Sequence, residues 1–134
     1  MASVFIEAIL DAPEDAAWAV LRDVGSADKA FPGVLTASSL ADGVRTVTFA
    51  SGNVVKERIV ALDDERKRLA YSVIEGRFTH HSASMRILAD GPGRCRFQWT
   101  SDFLPDDFAP LVRSLMEQGA AAFKRAVETA AGRA

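Results

Sequence analysis

Glu57 is a carboxylate in the middle of an alternating, strand-like segment, where it could act as an acid or a base. It shares a strand face with Ile59 and Ala61, so an inward orientation would bring the carboxylate into apolar surroundings. An unpaired buried charge is costly, so either the pKa of Glu57 should rise or the carboxylate should find a partner. Arg45 on the preceding strand could be that partner if the turn between the two strands has an odd number of residues. The alternatives are an exposed Glu57 or an ion pair with a purely structural role.

His81 is a second candidate for acid–base chemistry. His80 and His81 are adjacent on a strand, so their side chains point to opposite faces and cannot easily bind one metal ion. His81 shares the more apolar face with Ala83, Met85 and Ile87, and this face should point inward. An unperturbed pKa of about 6.5 suits proton transfer, but a core histidine held by hydrogen bonds is the alternative. Met85 could likewise adapt to varied ligands or be ordinary core.

Metal and nucleophile chemistry is not indicated by the remaining residues. The chain has two histidines and one cysteine, Cys95, which do not make up a usual set of zinc ligands. Alternation places Cys95 inward with Phe97, Trp99 and Ser101, where a small apolar role is expected. No Gly-x-Ser-x-Gly or Ser-x-x-Lys motif marks a nucleophile. We therefore expect no metal and no cofactor.

Length and charge exclude several classes of protein. The 134 residues suffice for one domain with a core, so we expect a single domain over residues 1–134. The net charge of −2, with both signs scattered, disfavours nucleic-acid binding. No apolar run approaches the roughly 18 residues of a membrane span. The N-terminal stretch lacks a basic region and contains Glu7, which disfavours a signal peptide. Together with the lone cysteine, these features predict a cytoplasmic protein.

Turn residues divide the chain into one strand, a helical segment, six more strands and a final helix. The first helix begins near Pro13, carries two acidic residues in its first turn and runs to about Asp23, and a short further turn follows at 26–31. Short turns between the later strands predict an antiparallel meander. The predicted strands are 4–10, 34–41, 44–50, 54–62, 68–74, 79–89 and 94–103, and the final helix is 105–131.

The final helix has an apolar stripe whose side chains become smaller along its length. The stripe begins with the bulky residues Phe108, Leu111, Val112 and Leu115 and is mostly small from Gly119 onward. Because glycine inside a helix costs about 1 kcal/mol relative to alanine, Gly119 predicts either a floor cleared for a ligand or close packing on the sheet. The first alternative places an empty space beside the second half of the helix, with Phe123 and Met116, which flank the stripe, as its walls.

Several short motifs resemble those of one protein family. They are the segments Arg-Thr-Val-Thr-Phe at 45–49, Glu-Arg-Ile at 57–59 and Tyr-Ser-Val at 71–73, together with Ala-Pro-Glu at 12–14 and Trp99. With the order of elements, they resemble the helix-grip fold of the START-related superfamily, which includes the birch pollen allergen, lipid-transfer domains and polyketide cyclase/aromatase proteins. The chain looks like a small bacterial polyketide cyclase/dehydrase-like member.

The resemblance implies an α+β fold. A curved antiparallel sheet of about seven strands would wrap around a long C-terminal helix, and two short helices would follow the first strand. It also implies that Tyr71 points inward, which makes it a third candidate catalytic residue beside Glu57 and His81. The family shares a cavity between sheet and helix but no single reaction, so the resemblance implies the fold more firmly than the function.

The function expected from the stripe and the resemblance is binding of a hydrophobic small molecule, such as a lipid, an aromatic compound or a polyketide-like compound. Glu57, Tyr71 and His81 would then orient it. The expected ligand contacts are Arg45, Phe49, Met85, Phe97, Trp99, Leu115, Gly119 and Phe123.

Two alternatives remain open at the level of the sequence. The first is a cyclase or dehydratase that needs no cofactor and moves protons with Glu57, Tyr71 and His81 in the same cavity. The second is a regulatory module that binds a protein partner through an exposed apolar patch at 31–35, a stretch that could also be the lid of the cavity. The sequence also leaves open whether two copies form a homodimer.

Overall fold

The computed structural model describes residues 1–133, in which seven strands and three α-helices follow one another. The strands are β1 (Ala2–Leu10), β2 (Leu35–Ala41), β3 (Val44–Phe49), β4 (Val54–Asp63), β5 (Arg68–Glu75), β6 (His80–Ala89) and β7 (Cys95–Leu104). The helices are α1 (Glu14–Leu21), α2 (Ala27–Ala30) and α3 (Ala109–Ala130), with single 3₁₀ turns at Val24–Ser26 and Asp106–Phe108. The order of elements agrees with the sequence prediction.

All seven strands form one antiparallel sheet in the order β1-β7-β6-β5-β4-β3-β2. From β2 to β7 the strands are a meander, as their short connections predict. The two residues between β2 and β3, Asp42 and Gly43, have φ of 52° and 74°. Such a two-residue turn matches the twist of paired strands, and it requires positive φ at both positions.

A bulge in β4 changes the predicted face of one residue. Ile59 pairs with Tyr71, but the next pair is Ala61 with Ala70, so Val60 is an extra residue in β4. Because side chains alternate along β5, Ala61 lies on the face opposite to that of Tyr71 and Ile59. The prediction that Ala61 shares a face with Glu57 is therefore wrong, since strict alternation does not anticipate an inserted residue.

The long helix α3 packs on the concave side of the sheet, and among the strands its backbone lies nearest to β1. Lys124 holds this end in place, because its Nζ donates to the carbonyl of Ile9 at 2.8 Å and to Glu128 at 2.6 Å. Within residues 1–133, no helix has the length and apolarity that crossing a bilayer requires.

The buried face of α3 differs in part from the predicted stripe. Leu111 is 56% exposed, whereas Met116, predicted only to flank the stripe, is 3% exposed. Phe123 fixes which face of the helix is buried, because it is fully buried and packs against Phe97 with tilted rings whose centroids are 4.5 Å apart. The buried residues of α3 are Val112, Met116, Gly119, Ala120, Ala122, Phe123 and Val127.

Candidate functional site

Arg45 and Glu57 are directly opposite each other on β3 and β4. Phe49 donates its backbone N–H to the carbonyl of Asn53, so the turn between them has three residues, which is the odd length that puts both side chains on one face. Arg45 Nε donates to Glu57 Oε1 at 2.8 Å, and the two residues are only 4% and 8% exposed. The structure therefore brings together the pair that the sequence left conditional on the turn.

Burial raises the pKa of the Glu57 carboxyl, although the Arg45 guanidinium beside it lowers this pKa in part. The same guanidinium lies over the ring of Tyr71, with its Cζ 5.3 Å from the ring centroid, and Nη1 donates to the carbonyl of Val24 at 3.5 Å. A cation over an aromatic face is stabilised by the ring electrons. Arg45 thus connects the carboxylate, the phenol ring and the first helical turns.

The Arg45–Glu57 contact leaves two polar atoms without a partner. Arg45 Nη2 and Glu57 Oε2 make no hydrogen bond to any atom of residues 1–133. Among the fully enclosed side-chain nitrogen and oxygen atoms of this part of the chain, only Ser38 Oγ lacks a partner. Nη2 and Oε2 are therefore not fully enclosed, although the two residues as a whole are buried.

His81 uses both of its ring nitrogens within the protein. Nδ1 accepts the backbone N–H of Val73 at 3.0 Å, so the neutral ring carries its proton on Nε2, which lies 3.2 Å from Ser101 Oγ. Burial lowers the pKa of His81 to about 4. Phe78 covers the ring, with centroids 4.9 Å apart. These contacts are those of a neutral histidine held in the core, which was the alternative considered for this residue.

Tyr71 lies on the inner face with His81, and their ring centroids are 5.7 Å apart. The Tyr71 hydroxyl accepts a hydrogen bond from Trp99 Nε1 at 3.1 Å. Tyr71 is 6% exposed, and this burial raises the pKa of its hydroxyl well above the ordinary value. The phenol is therefore neutral at physiological pH and joins the pair Arg45–Glu57 to Trp99.

Trp99 fills the space that the sequence predicts to be empty beside α3. A Cβ built on Gly119 would lie 2.8 Å from the Trp99 ring atom Cζ3, a distance that real Cβ atoms do not tolerate. Phe31 packs at the same point, with its ring centroid 5.8 Å from that of Trp99 and its Cδ1 3.8 Å from the same Cβ position. Of the two alternatives for Gly119, close packing therefore applies, because the glycine serves the close approach of helix and indole.

Inward-facing apolar side chains of the opposite half of the sheet are less well covered. Phe49, Val55 and Ile59 are on the same face as Arg45 and Glu57, yet each remains half-buried. The reason is that α3 lies nearest to β1, at the other end of the sheet. We call this partly covered inner face of β3–β5, around Phe49, Val55 and Ile59, the cleft. Trp99 and Leu115, which are also half-buried, are predicted ligand contacts on its α3 side.

Other predicted ligand contacts are enclosed. Met85, Phe97 and Phe123 are each at most 2% exposed and belong to the main core cluster. Their part in binding stays a prediction. In the proposed patch at 31–35, the large side chains Phe31 and Leu35 are 5% and 9% exposed, so this stretch offers little apolar surface to a partner.

Sequence reasoning missed several residues around the site. Val55 and Val73 border Glu57 on the inner face, Ser101 is the partner of His81, and Phe78 covers that histidine. Alternation alone could have placed Val55 beside Glu57, because the two are separated by two positions on one strand. The role of Phe78 follows only from the path of the loop before β6.

Two surface depressions of the protein lie away from Arg45, Glu57 and the cleft. An open depression of about 510 Å³ is lined by residues of α2 and the end of α3, and another of about 270 Å³ lies beside Arg86 and Glu65. Among residues 1–133, no three His, Cys, Asp or Glu side chains come together as metal ligands would. Burial raises the pKa of the Cys95 thiol to about 11, so this residue is a neutral thiol in the core.

Comparisons with known proteins place this geometry in a wider group. Residues 1–133 match the family described as polyketide cyclase / dehydrase and lipid transport. No curated protein sequence matches the chain. The fold resembles an uncharacterised protein from Bacillus thuringiensis (TM-score 0.86, 17% identity, 94% of this chain and 98% of that chain). It also resembles norcoclaurine synthase from Thalictrum flavum, solved in complex with dopamine and hydroxybenzaldehyde. The TM-score is 0.75 and the identity 20%, and the match covers 96% of this chain and 87% of that chain. At these identities the solved structures confirm the helix-grip fold alone.

Proposed function

We propose that this chain, which belongs to the polyketide cyclase/dehydrase and lipid transport family, binds a small hydrophobic molecule in the cleft. The observation that carries the proposal is the half-buried state of the inward-facing side chains Phe49, Val55 and Ile59. When a ligand covers apolar side chains that are still partly exposed to water, binding gains about 25 cal/mol of free energy for each Å² that is buried. Arg45 and Glu57 between them supply the few polar groups that orient a ligand.

One protein of similar fold supports an aromatic ligand. Norcoclaurine synthase, to which this chain is 20% identical, has a solved complex with dopamine and hydroxybenzaldehyde, which are small aromatic molecules. The rings around the cleft of this chain, Phe49, Tyr71 and Trp99, suit a flat aromatic ligand, since aromatic groups pack well against one another. The proposal therefore favours aromatic or polyketide-like compounds over long, flexible lipids.

Trp99 makes the proposal testable by fluorescence. The chain has two tryptophans, and the indole of the other, Trp18, is held by Asp64, to which its Nε1 donates at 2.9 Å. In Trp18→Phe, a bound aromatic compound should change the emission of Trp99 in a saturable way. The matched variant Trp99→Phe retains only Trp18 and should show no such change. Equal responses from the two variants, or none from either across aromatic compounds and fatty acids, would contradict binding in the cleft.

A second candidate function is catalysis of the cyclase or dehydratase kind. It is favoured by Glu57, a carboxyl whose pKa is raised by burial and whose Oε2 has no hydrogen-bond partner within residues 1–133. Proton transfer by such a group contributes about 10²–10⁴-fold to a rate. Glu57→Gln should therefore lose that factor in turnover of an enolisable polyketone, while His80→Asn on the outer face should not. Unchanged turnover in Glu57→Gln would rule out this role for the carboxyl.

A further inference from the structure

We propose that the Arg45–Glu57 pair makes the cleft selective for ligands that carry a neutral hydroxyl, of the phenol or enol kind. This inference rests on the proposed function, because it specifies which group of the ligand is recognised. The hydroxyl oxygen would accept a hydrogen bond from Arg45 Nη2, and the hydroxyl hydrogen would be donated to Glu57 Oε2.

The geometry of the ion pair leaves room for this contact. On the surface, Arg22 holds Asp64 with two parallel bonds, Nε to Oδ1 at 2.8 Å and Nη2 to Oδ2 at 3.3 Å. The buried pair has only the first of these, from Arg45 Nε to Glu57 Oε1. Its Nη2 and Oε2 make no hydrogen bond within residues 1–133 and are not fully enclosed. A donor and an acceptor are thus left unpaired side by side.

The charges of the pair decide which ligand group fits. Arg45 and Glu57 together are close to neutral, so a ligand carboxylate would gain attraction from the guanidinium but meet repulsion from Glu57 Oε2. A ligand ammonium would be attracted by Glu57 Oε2 but repelled by the Arg45 guanidinium. A hydroxyl both accepts and donates, and it carries no charge that must be removed from water. An ether of the same shape can only accept, so Glu57 Oε2 would be covered and left unsatisfied.

The side chains around the pair would contact the apolar part of the ligand. Val55 and Ile59 flank Glu57 at two positions on either side along β4, so their side chains lie on the same face. Tyr71 lies beneath the guanidinium and is itself bound to Trp99. A polar centre with apolar neighbours on each side fits a hydroxyl attached directly to a ring or to a conjugated chain.

The test is a set of four probes with one ring system, measured by equilibrium binding to the full chain: naphthalene, naphthol, methoxynaphthalene and naphthoate, all substituted at the same position. We expect naphthol to bind about tenfold more tightly than the ether and naphthalene, which is the order expected for hydrogen bonds to charged groups. Naphthoate should bind more weakly than naphthol. Equal affinity for naphthol and naphthalene, or tightest binding of naphthoate, would overturn the inference and leave the proposed function standing.

Two variants separate the inference from the proposed function. Glu57→Gln removes the negative charge but keeps the shape, so the preference should change to naphthoate. The double variant Arg45→Met with Glu57→Leu should bind naphthalene, naphthol and the ether with similar affinity. It should bind naphthoate most weakly, since a carboxylate would lose its hydration in a cleft that is apolar throughout. If none of the probes binds to the wild-type chain, the proposed function itself fails. A preference for naphthol that persists in the double variant would show that another group recognises the hydroxyl.

Discussion

Gly119 lies against the edge of the Trp99 ring, and the contact reverses the usual effect of a glycine in a helix. In an open helix, alanine is favoured over glycine by about 1 kcal/mol. Here a Cβ would lie 2.8 Å from Trp99 Cζ3 and 3.1 Å from Cη2, and the ring is held by the hydrogen bond to Tyr71. The space between Gly119 and the sheet is therefore filled by the indole.

Gly119→Ala should lower the free energy of unfolding by about 1–2 kcal/mol, because overpacking outweighs the gain in helix propensity. Chemical denaturation measures this change. Combining it with Trp99→Leu should remove the penalty, since the ring that causes the clash is gone. An increase in stability for Gly119→Ala alone would mean that the site beside the helix is open after all.

His81 provides a prediction of pH dependence at the same scale. Its folded-state pKa of about 4 lies below the ordinary value of 6.5, so the folded protein resists protonation. Above pH 6.5 the histidine is neutral in both states and its contribution is constant. As the pH falls from about 6.5 to 4, the unfolded chain gains a proton that the folded chain does not, and the free energy of unfolding should fall by about 2–3 kcal/mol.

The measurement compares wild type with His81→Asn, whose amide oxygen can still accept from Val73, and with His80→Asn, which alters the exposed neighbour. The pH profile of unfolding should be flatter for His81→Asn in this window. It should stay steep for His80→Asn, because burial and not the charge of His80 is the largest cause of the lowered pKa of His81. If the free energy of unfolding falls equally with pH in wild type and His81→Asn, the pKa of His81 is not lowered in the folded protein.

At the scale of elements, the position of α3 relative to β1 decides where the cleft opens. Lys124 and Glu128 fasten α3 to the end of β1. Lys124 Nζ donates to the carbonyl of Ile9 and to Glu128 Oε2, which also accepts the backbone N–H of Asp11 at 2.8 Å. With one side of the helix tied to the edge strand, the far half of the sheet stays partly uncovered. The cleft is thus a consequence of how one helix is attached.

Lys124→Met keeps the aliphatic stem but loses both polar contacts, and it should lower the free energy of unfolding by about 0.5–1 kcal/mol. Arg125→Met is the matched control, because Arg125 is exposed and forms no ion pair within residues 1–133. Its effect should stay within about 0.5 kcal/mol. Denaturation curves of the two variants test this, and equal losses would mean that the Lys124 contacts do not anchor the helix.

At the scale of the whole molecule, the buried ion pair is a feature that folding alone does not require. Replacing such a pair by apolar residues of similar volume is often neutral or stabilising, whereas removing one partner costs about 3–5 kcal/mol. Arg45 and Glu57 are among only four buried polar or charged residues of the described chain. Retaining a charged pair at the edge of the cleft is what a binding site would need and a core would not.

Arg45→Met alone should therefore be strongly destabilising, by about 3–5 kcal/mol, because Glu57 is left charged and buried. The double variant Arg45→Met with Glu57→Leu should be as stable as wild type or more stable. Thermal and chemical unfolding of the three proteins measure this difference. A double variant as unstable as the single one would show that the pair is needed for folding, which would weaken its assignment to ligand recognition.

The sequence by itself determined the order of elements and the inward face of most strands, because turn residues and alternation are local signals. Tyr71, His81 and Glu57 are buried on the inner face, with Tyr71 placed there by resemblance. The sequence could not decide whether the space beside Gly119 is open or filled, since that depends on the position of Trp99, twenty residues earlier. Nor could it show that Val60 is an extra residue. Only the tertiary structure decided where the cleft lies, because coverage of the sheet depends on how α3 is attached to β1.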